Sequence, residues 1–137
     1  MTYLSFKNGS RFHFSRSRRG MMVGSKPCEA SLVEAILNML NIPTICPETF
    51  AWRMETDGKP RRNPDGSFRL VRNKYGRGKP DICGIKAGHG FVMEVKMPGQ
   101  SAEPHQKEWL QDYQERGRGH AFVVHSVDEA MDYWRMI

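Results

Sequence analysis

The sequence predicts an α/β domain in which a mixed sheet is flanked by helices, and three observations carry that expectation. Leu32, Val33, Ile36, Leu37 and Leu40 recur on one face at helical spacing. Ile82 to Ile85 and Phe91 to Lys96 read as two strands joined by the turn formers Lys86-Ala87-Gly88-His89-Gly90. Ala121-Phe122-Val123-Val124 is a continuous apolar run between two further helical stretches. The resulting order of helix, some three strands, helix, strand and helix places helices on the faces of a mixed sheet.

At 137 residues the chain has the size of one domain with one core. We divide it into a basic, aromatic arm over residues 1–24 and a main unit over residues 25–137. No run of about 18 apolar residues occurs, so nothing is expected to span a membrane, and the N-terminus lacks the apolar core of a signal peptide. Cys28, Cys46 and Cys83 are odd in number and show no Cys-x-x-Cys spacing, which argues against a disulfide framework or a zinc site. A reducing, intracellular (cytoplasmic) setting is the expectation.

Taken in order, the arm opens with two short aromatic runs, Tyr3 to Phe6 and Phe12 to Phe14, on either side of Asn8-Gly9, a signal for a β-hairpin. Ser15 to Gly20 is a basic linker holding Arg16, Arg18 and Arg19. Such a hairpin packs on its own domain, on a second subunit, or on nucleic acid by stacking. A helix follows from Ser25 as N-cap, with Pro27 in its first turn and a stop near Asn41, ahead of Pro43. At 100° per residue Glu29 falls near the middle of the apolar stripe and Glu34 well to its side, so Glu29 points inward. A plain first-turn acid favouring the helix dipole fits the same position.

Residues 49 to 56 alternate, with Phe50, Trp52 and Met54 on one face and Ala51, Arg53 and Glu55 on the other, the pattern of a half-buried strand. Asp57 to Gly66 reads as a polar loop, and Ser67 to Val71 as another strand. Beyond the central hairpin, Pro98-Gly99 makes a turn and Ala102 to Arg116 a helix, with Pro104 in its first turn and Trp109, Leu110 and Tyr113 inward. Gln106 lies one turn before Trp109, and Gly117 and Gly119 end the helix. Ala121 to Val124 then forms a central buried strand, and Val127 to Met136 a short helix capped by Ser126.

The charged residues of the central hairpin are the candidate site. Alternation along the second strand puts Glu94 and Lys96 on one face with Val92, and Phe91, Met93 and Val95 on the other. The antiparallel return brings Asp81, from Gly78-Lys79-Pro80-Asp81, beside them. Unpaired charges in a half-buried sheet are costly. Either Glu94 and Lys96 form a solvated edge while Asp81 caps a turn, or the two carboxylates hold a hard divalent cation and the lysine serves a hydrolytic step. The five histidines, His13, His89, His105, His120 and His125, show no metal-ligand spacing.

Charge is segregated along the chain. Residues 1 to 28 carry Lys7, Arg11, Arg16, Arg18, Arg19 and Lys26 and no acid, which equals the whole net charge of +6. Arg53 to Lys79 holds nine Lys or Arg against Glu55, Asp57 and Asp65, and the remainder is acidic. Arg61, Arg62, Arg69, Arg72, Lys74, Arg77 and Lys79 thus lie on the approach to Asp81. Solubility alone accounts for a basic total; two basic segments on an acidic domain fit a polyanion partner.

The run Arg77-Gly78-Lys79-Pro80-Asp81-Ile82-Cys83-Gly84-Ile85, then Phe91-Val92-Met93-Glu94-Val95-Lys96-Met97-Pro98-Gly99, Ser101 to Gln106, and Ser126 to Ala130 resembles the PD-(D/E)xK nuclease superfamily and, within it, the small VRR-NUC type. The resemblance covers roughly residues 26 to 132, with Ile45 to Tyr75 matching only loosely apart from Trp52-Arg53. It implies a restriction-endonuclease-like αβββαβ core and Mg²⁺- or Mn²⁺-dependent hydrolysis of DNA, with structured DNA such as four-way junctions or flaps as substrate. The metal would be held by Asp81, Glu94 and the main-chain carbonyl of Val95, with Glu29 completing the acidic cluster. Lys96 would orient the attacking water, and Gln106 would support the cluster from the second helix. Arg16, Arg18, Arg19, Arg61, Arg62, Arg72, Lys74, Arg77 and Lys79 are the expected DNA contacts, and a homodimer the expected assembly. The rival expectation is a non-catalytic nucleic-acid-binding module on a nuclease-like fold, which has no use for carboxylates that repel phosphate.

Overall fold

A computed structural model describes residues 27–54, 59–71 and 77–137. The expected N-terminal hairpin and arm, the cap Ser25, the basic residues Arg16, Arg18 and Arg19, and Arg72 and Lys74 lie outside the described residues.

Helix α1, Glu29–Leu40, begins later than expected: its N-cap is Cys28 rather than Ser25, and Pro27 precedes the helix instead of lying in its first turn. The Cys28 N–H is accepted by Ser31 Oγ at 3.2 Å, and the helix ends at Asn41 as its sequence pattern implies. Its apolar stripe supplies Val33, Ile36, Met39 and Leu40 to the core. A turn-rich stretch then leads to β1, Thr49–Arg53. Two short strands, β2 at Lys59–Arg62 and β3 at Phe68–Val71, pair antiparallel as a hairpin separate from the main sheet. Here the structure corrects the polar loop expected over Asp57 to Gly66. Asn63-Pro64-Asp65-Gly66 folds into a tight turn, closed by an Asn63 N–H bond to the Ser67 carbonyl at 2.7 Å, with Gly66 at φ 87°. That turn places Lys59–Arg62 opposite the strand that was expected.

The main sheet adds β4, Ile82–Lys86, β5, His89–Val95, and β6, His120–Val124, in the spatial order β1-β4-β5-β6. The first two pairings are antiparallel and β5-β6 is parallel. The β4-β5 connection is the two-residue turn Ala87-Gly88, both at positive φ (48° and 85°), a turn whose twist matches that of the flanking strands. It fixes the register Ile82↔Met93, so Asp81 stands opposite Glu94.

Helix α2, Pro104–Glu115, and helix α3, Val127–Met136, complete the chain. The larger core lies between α1, α3 and one sheet face, around Phe91, Met93, Val95, Ile82 and Trp134. The smaller lies under α2, around Val92, Leu110 and Ala121. β6 is the last strand in the sheet order, where a central strand was expected. Its apolar run is explained by helices on both faces, which bury alternate residues on each side whatever the strand's lateral position. Among the described residues the result is an α/β protein with a four-stranded mixed sheet, three helices and a separate β-hairpin. Among the described residues no helix is long and apolar enough to cross a membrane.

Candidate metal centre

The centre is assembled where β4 begins and β5 ends. Gly78, at φ 82°, turns the chain into the strand and passes so close to α2 that a Cβ would stand 2.5 Å from the His105 carbonyl oxygen. Pro80 follows, buried, and then Asp81. Opposite it, the main-chain N–H of Val95 lies beyond the last β4-β5 pair, and Asp81 Oδ2 accepts it at 2.8 Å. The carboxylate thereby takes the place of a strand carbonyl and is held in one orientation by the backbone.

Glu94 is only 2% exposed, a rare condition for a carboxylate. One oxygen, Oε1, receives two partners: Lys96 Nζ at 3.0 Å and Gln106 Nε2 at 2.5 Å. The other, Oε2, is buried without a hydrogen-bond partner, and among the described residues it is the buried side-chain polar atom left in that state. Burial, then the neighbouring Asp81 carboxylate, then Glu29 push Glu94 up to about 7 against the pull of Lys96. The Lys96 side chain is 12% exposed. Burial works against its charge, but its hydrogen bond to Glu94 and the negative fields of Glu94, Glu29 and Asp81 outweigh that, and its pKa is raised. The ammonium is thus fixed as a cation.

Gln106 is oriented at both ends of its amide. Oε1 accepts the Glu103 N–H at 2.8 Å, closing the first turn of α2, and this leaves Nε2 aimed at Glu94. The side chain therefore joins the start of a helix to a buried carboxylate. Glu29, in the first turn of α1, is half-buried and close enough for its charge to act on both Glu94 and Lys96, whereas Glu34 is exposed. Among the described residues no group of three or more His, Cys, Asp or Glu side chains is placed to hold an ion. Glu29 accordingly contributes field rather than a third member of a compact ligand set. Of the expected DNA contacts, Arg61 and Arg62 are exposed on β2, Arg77 is exposed and Lys79 half-buried on the approach to Asp81.

The donor set can be tested against the ion expected of it. All its donors are oxygens, two carboxylates face each other across one strand pair, and one buried carboxylate oxygen has no partner. Such an oxygen is costly unless a proton or a cation meets it. Mg²⁺ and Mn²⁺ prefer oxygen donors, and Mg²⁺ typically takes one or two protein carboxylates, keeping its remaining positions for water and phosphate. The residues fit that group.

The exposed aromatic face of β1 escaped sequence reading. Phe50 and Trp52 alternate as expected, but it is Ala51 that enters the core. Gly84, opposite Ala51, offers the physical signal: Phe91 fills the space above it, leaving room at that point for a small residue only. The chain matches no protein-family model and no curated protein sequence.

Proposed function

We propose that the protein is a metal-dependent endonuclease that hydrolyses phosphodiester bonds in DNA, on a core of the PD-(D/E)xK type that the VRR-NUC-like motifs imply. The observation that carries this reading is the in-register pair Asp81 and Glu94, with Lys96 on Glu94 Oε1 and Glu94 Oε2 unpartnered. The element order α1-β1-β4-β5-α2-β6 supports it, since it is the αβββαβ order the resemblance implies once the separate hairpin is set aside.

Asp81, Glu94 and the main-chain carbonyl of Val95 would hold Mg²⁺ or Mn²⁺, with Glu29 adding negative potential. When bound, such an ion supplies Lewis acidity toward a phosphate oxygen and lowers the pKa of a water molecule. Asp81 stays in place because the Val95 N–H holds Oδ2. Gln106 and Lys96 both engage Oε1 of Glu94, which leaves Oε2 for the cation. Lys96, an ammonium in a poorly solvated position, would orient the attacking water and offset charge as it builds on the phosphate oxygens. Preorganised charge of this kind is worth several kcal/mol. Arg61, Arg62, Arg77 and Lys79 would draw the phosphate backbone toward the centre. Structured DNA such as junctions or flaps is the substrate class we assign, cut by a homodimer.

The test is incubation with nicked, branched and linear DNA in Mg²⁺, in Mn²⁺ and in chelator. Cleavage is expected with metal only. Asp81→Asn, Glu94→Gln and Lys96→Ala are each expected to lower the rate by roughly 10²-fold or more while DNA retention persists. A variant that cuts at close to the wild-type rate overturns the assignment. DNA retention by the wild type without cleavage in either metal makes the protein a binding module.

A further inference from the structure

We infer that Phe50 and Trp52 form a stacking platform for unpaired nucleobases beside the candidate centre, so that the preferred DNA carries single-stranded nucleotides next to the scissile phosphate. The inference rests on the nuclease reading only for which phosphate is scissile; the platform itself stands on the sheet.

Register places the two rings. On the face that carries Asp81 and Glu94, the next row of the sheet is Trp52, Cys83 and Val92, and the one after it is Phe50, Ile85 and Gly90. Helix α2 covers the β5 and β6 side of this face through Leu110. Among the described residues the β1 edge and the far end of β4 are not covered, with Phe50 67%, Trp52 40% and Ile85 44% exposed, while Cys83 packs against the α2 cluster. The two rings lie 5.7 Å apart and are tilted by 40°, so together they present a broad apolar surface. From strand spacing and rise, Trp52 sits about 8 Å from Asp81 along the diagonal of the sheet. At about 3.4 Å per nucleotide that is two to three nucleotides of a strand crossing the centre.

Three features favour a nucleobase as occupant. First, exposed aromatic surface on a folded chain marks a binding site, and every base offers a flat face for it. Second, the surface is continuous with the carboxylate row, and Arg77 and Lys79 lead into that row, so a strand bound there has phosphate partners on its way to the rings. Third, sheet extension by another protein strand is opposed at this edge. Asn41 Nδ2 donates to the Ala51 carbonyl at 3.0 Å and its Oδ1 accepts the Ala51 N–H at 3.1 Å, occupying the backbone groups at the middle of β1. Bases within a duplex have their faces buried in the stack, so only flaps, gaps and branch points offer them.

The experiment measures binding in chelator, where the proposed cleavage is silent. Two ligands are compared, a blunt duplex and the same duplex with a single-stranded extension. Stacking contributes roughly five- to 150-fold per base, so the wild type is expected to favour the extended duplex by at least about tenfold. In the Phe50→Ala, Trp52→Ala double variant the ratio is expected to fall to near one, and Trp52→Phe should restore most of it. Should the double variant fail to fold, the single Phe50→Ala substitution at the more exposed ring carries the test. The extended ligand is also expected to quench tryptophan fluorescence, and Trp52→Phe to remove most of that quenching. An unchanged ratio in the double variant, no preference in the wild type, or a preference that varies with protein concentration, as when a second copy covers the rings, overturns the inference. A lost ratio in a protein that never cuts DNA sinks the nuclease reading and leaves the platform standing; cleavage with an unchanged ratio does the reverse.

Discussion

Among the described residues Glu94 is the buried carboxylate through which pH is expected to act on stability. Its folded pKa of about 7 lies above the ordinary value of 4.5, so the folded chain holds this proton more tightly than the unfolded chain does. A raised carboxylate contributes stability that is present below about 4.5 and is lost as pH climbs through about 7. Without metal, unfolding free energy is expected to drop across that window by an amount on the order of a few kcal/mol and then to level off. Glu94→Gln should flatten the profile and melt higher than the wild type at pH 8 in chelator, and added Mg²⁺ should recover the loss in the wild type only. Denaturant titrations at several pH values check this; a wild-type profile rising from pH 5 to 8 contradicts it.

A second residue-scale prediction separates two glutamates of the same helix. Glu29→Gln removes charge that acts on Glu94 and Lys96, whereas Glu34 is exposed and far from this influence. Cleavage rates are expected to fall about tenfold or more for the first and less than twofold for the second, as an electrostatic effect of one to two kcal/mol requires. Equal rates would return Glu29 to the role of a helix-dipole acid. Its inward direction was legible because a helix has one dominant period. Its separation from Asp81 and Glu94 was not, since the packing of α1 on the sheet decides that and no local pattern encodes it.

Among the elements, the β4-β5 hairpin was the easiest to read. Two strands with turn formers between them bring Asp81 to the end of β5, but the register was not legible. β4 runs on to Lys86 and β5 starts at His89, and it is the two-residue turn Ala87-Gly88, in place of the expected five residues Lys86 to Gly90, that sets Asp81 opposite Glu94. β2 was harder, because Pro60 and a run of basic residues read as loop; its strand character comes from pairing with β3 across a four-residue turn. β1 misleads in another way. Its aromatic residues look like core, yet the sheet face they occupy is covered by α2 only on its far side, and the covering helix is distant in sequence. At this scale Gly78 is the position to test. Gly78→Ala adds a Cβ to a residue at φ 82° and 2.5 Å from the His105 carbonyl, so the strand entry must move away from α2. We expect a loss of roughly 1–3 kcal/mol together with impaired cleavage, since Asp81 lies three residues on. Thermal melts paired with cleavage assays check it, and a fully active, equally stable variant would show that the entry has slack.

For the whole molecule, the proposed nuclease reading gives each copy of the domain one centre for one strand, while paired cuts in a duplex or a four-way junction would need two centres related by symmetry. The expected outcome of light scattering behind a sizing column is therefore a dimer at micromolar concentration. The sequence of residues 1–24 carries the apolar residues Tyr3, Leu4, Phe6, Phe12 and Phe14, and deleting residues 1–20 should shift the protein toward monomer. A monomer before and after deletion would contradict it. The described β2-β3 hairpin, with Phe68 and Leu70 exposed, offers further apolar surface of the same kind.

The clasp of Asn41 on Ala51 bears on the shelf life of the protein as well as on its shape. An amide side chain that imitates a neighbouring strand leaves β1 with no free pair of groups at its midpoint, and the rings of Phe50 and Trp52 on either side make this an edge that would otherwise be adhesive. With Asn41→Ala the chain loses two hydrogen bonds to Ala51 and a third to the Leu37 carbonyl, worth about 1 kcal/mol each, and is expected to gain a template on which molecules can add one after another. Storage at high concentration should then produce turbidity and fibrillar material within a time over which the parent stays clear, at temperatures far below the melting point of either. The expectation is that one polar side chain, the C-cap of α1, keeps the molecule ageing as a solution rather than as a solid.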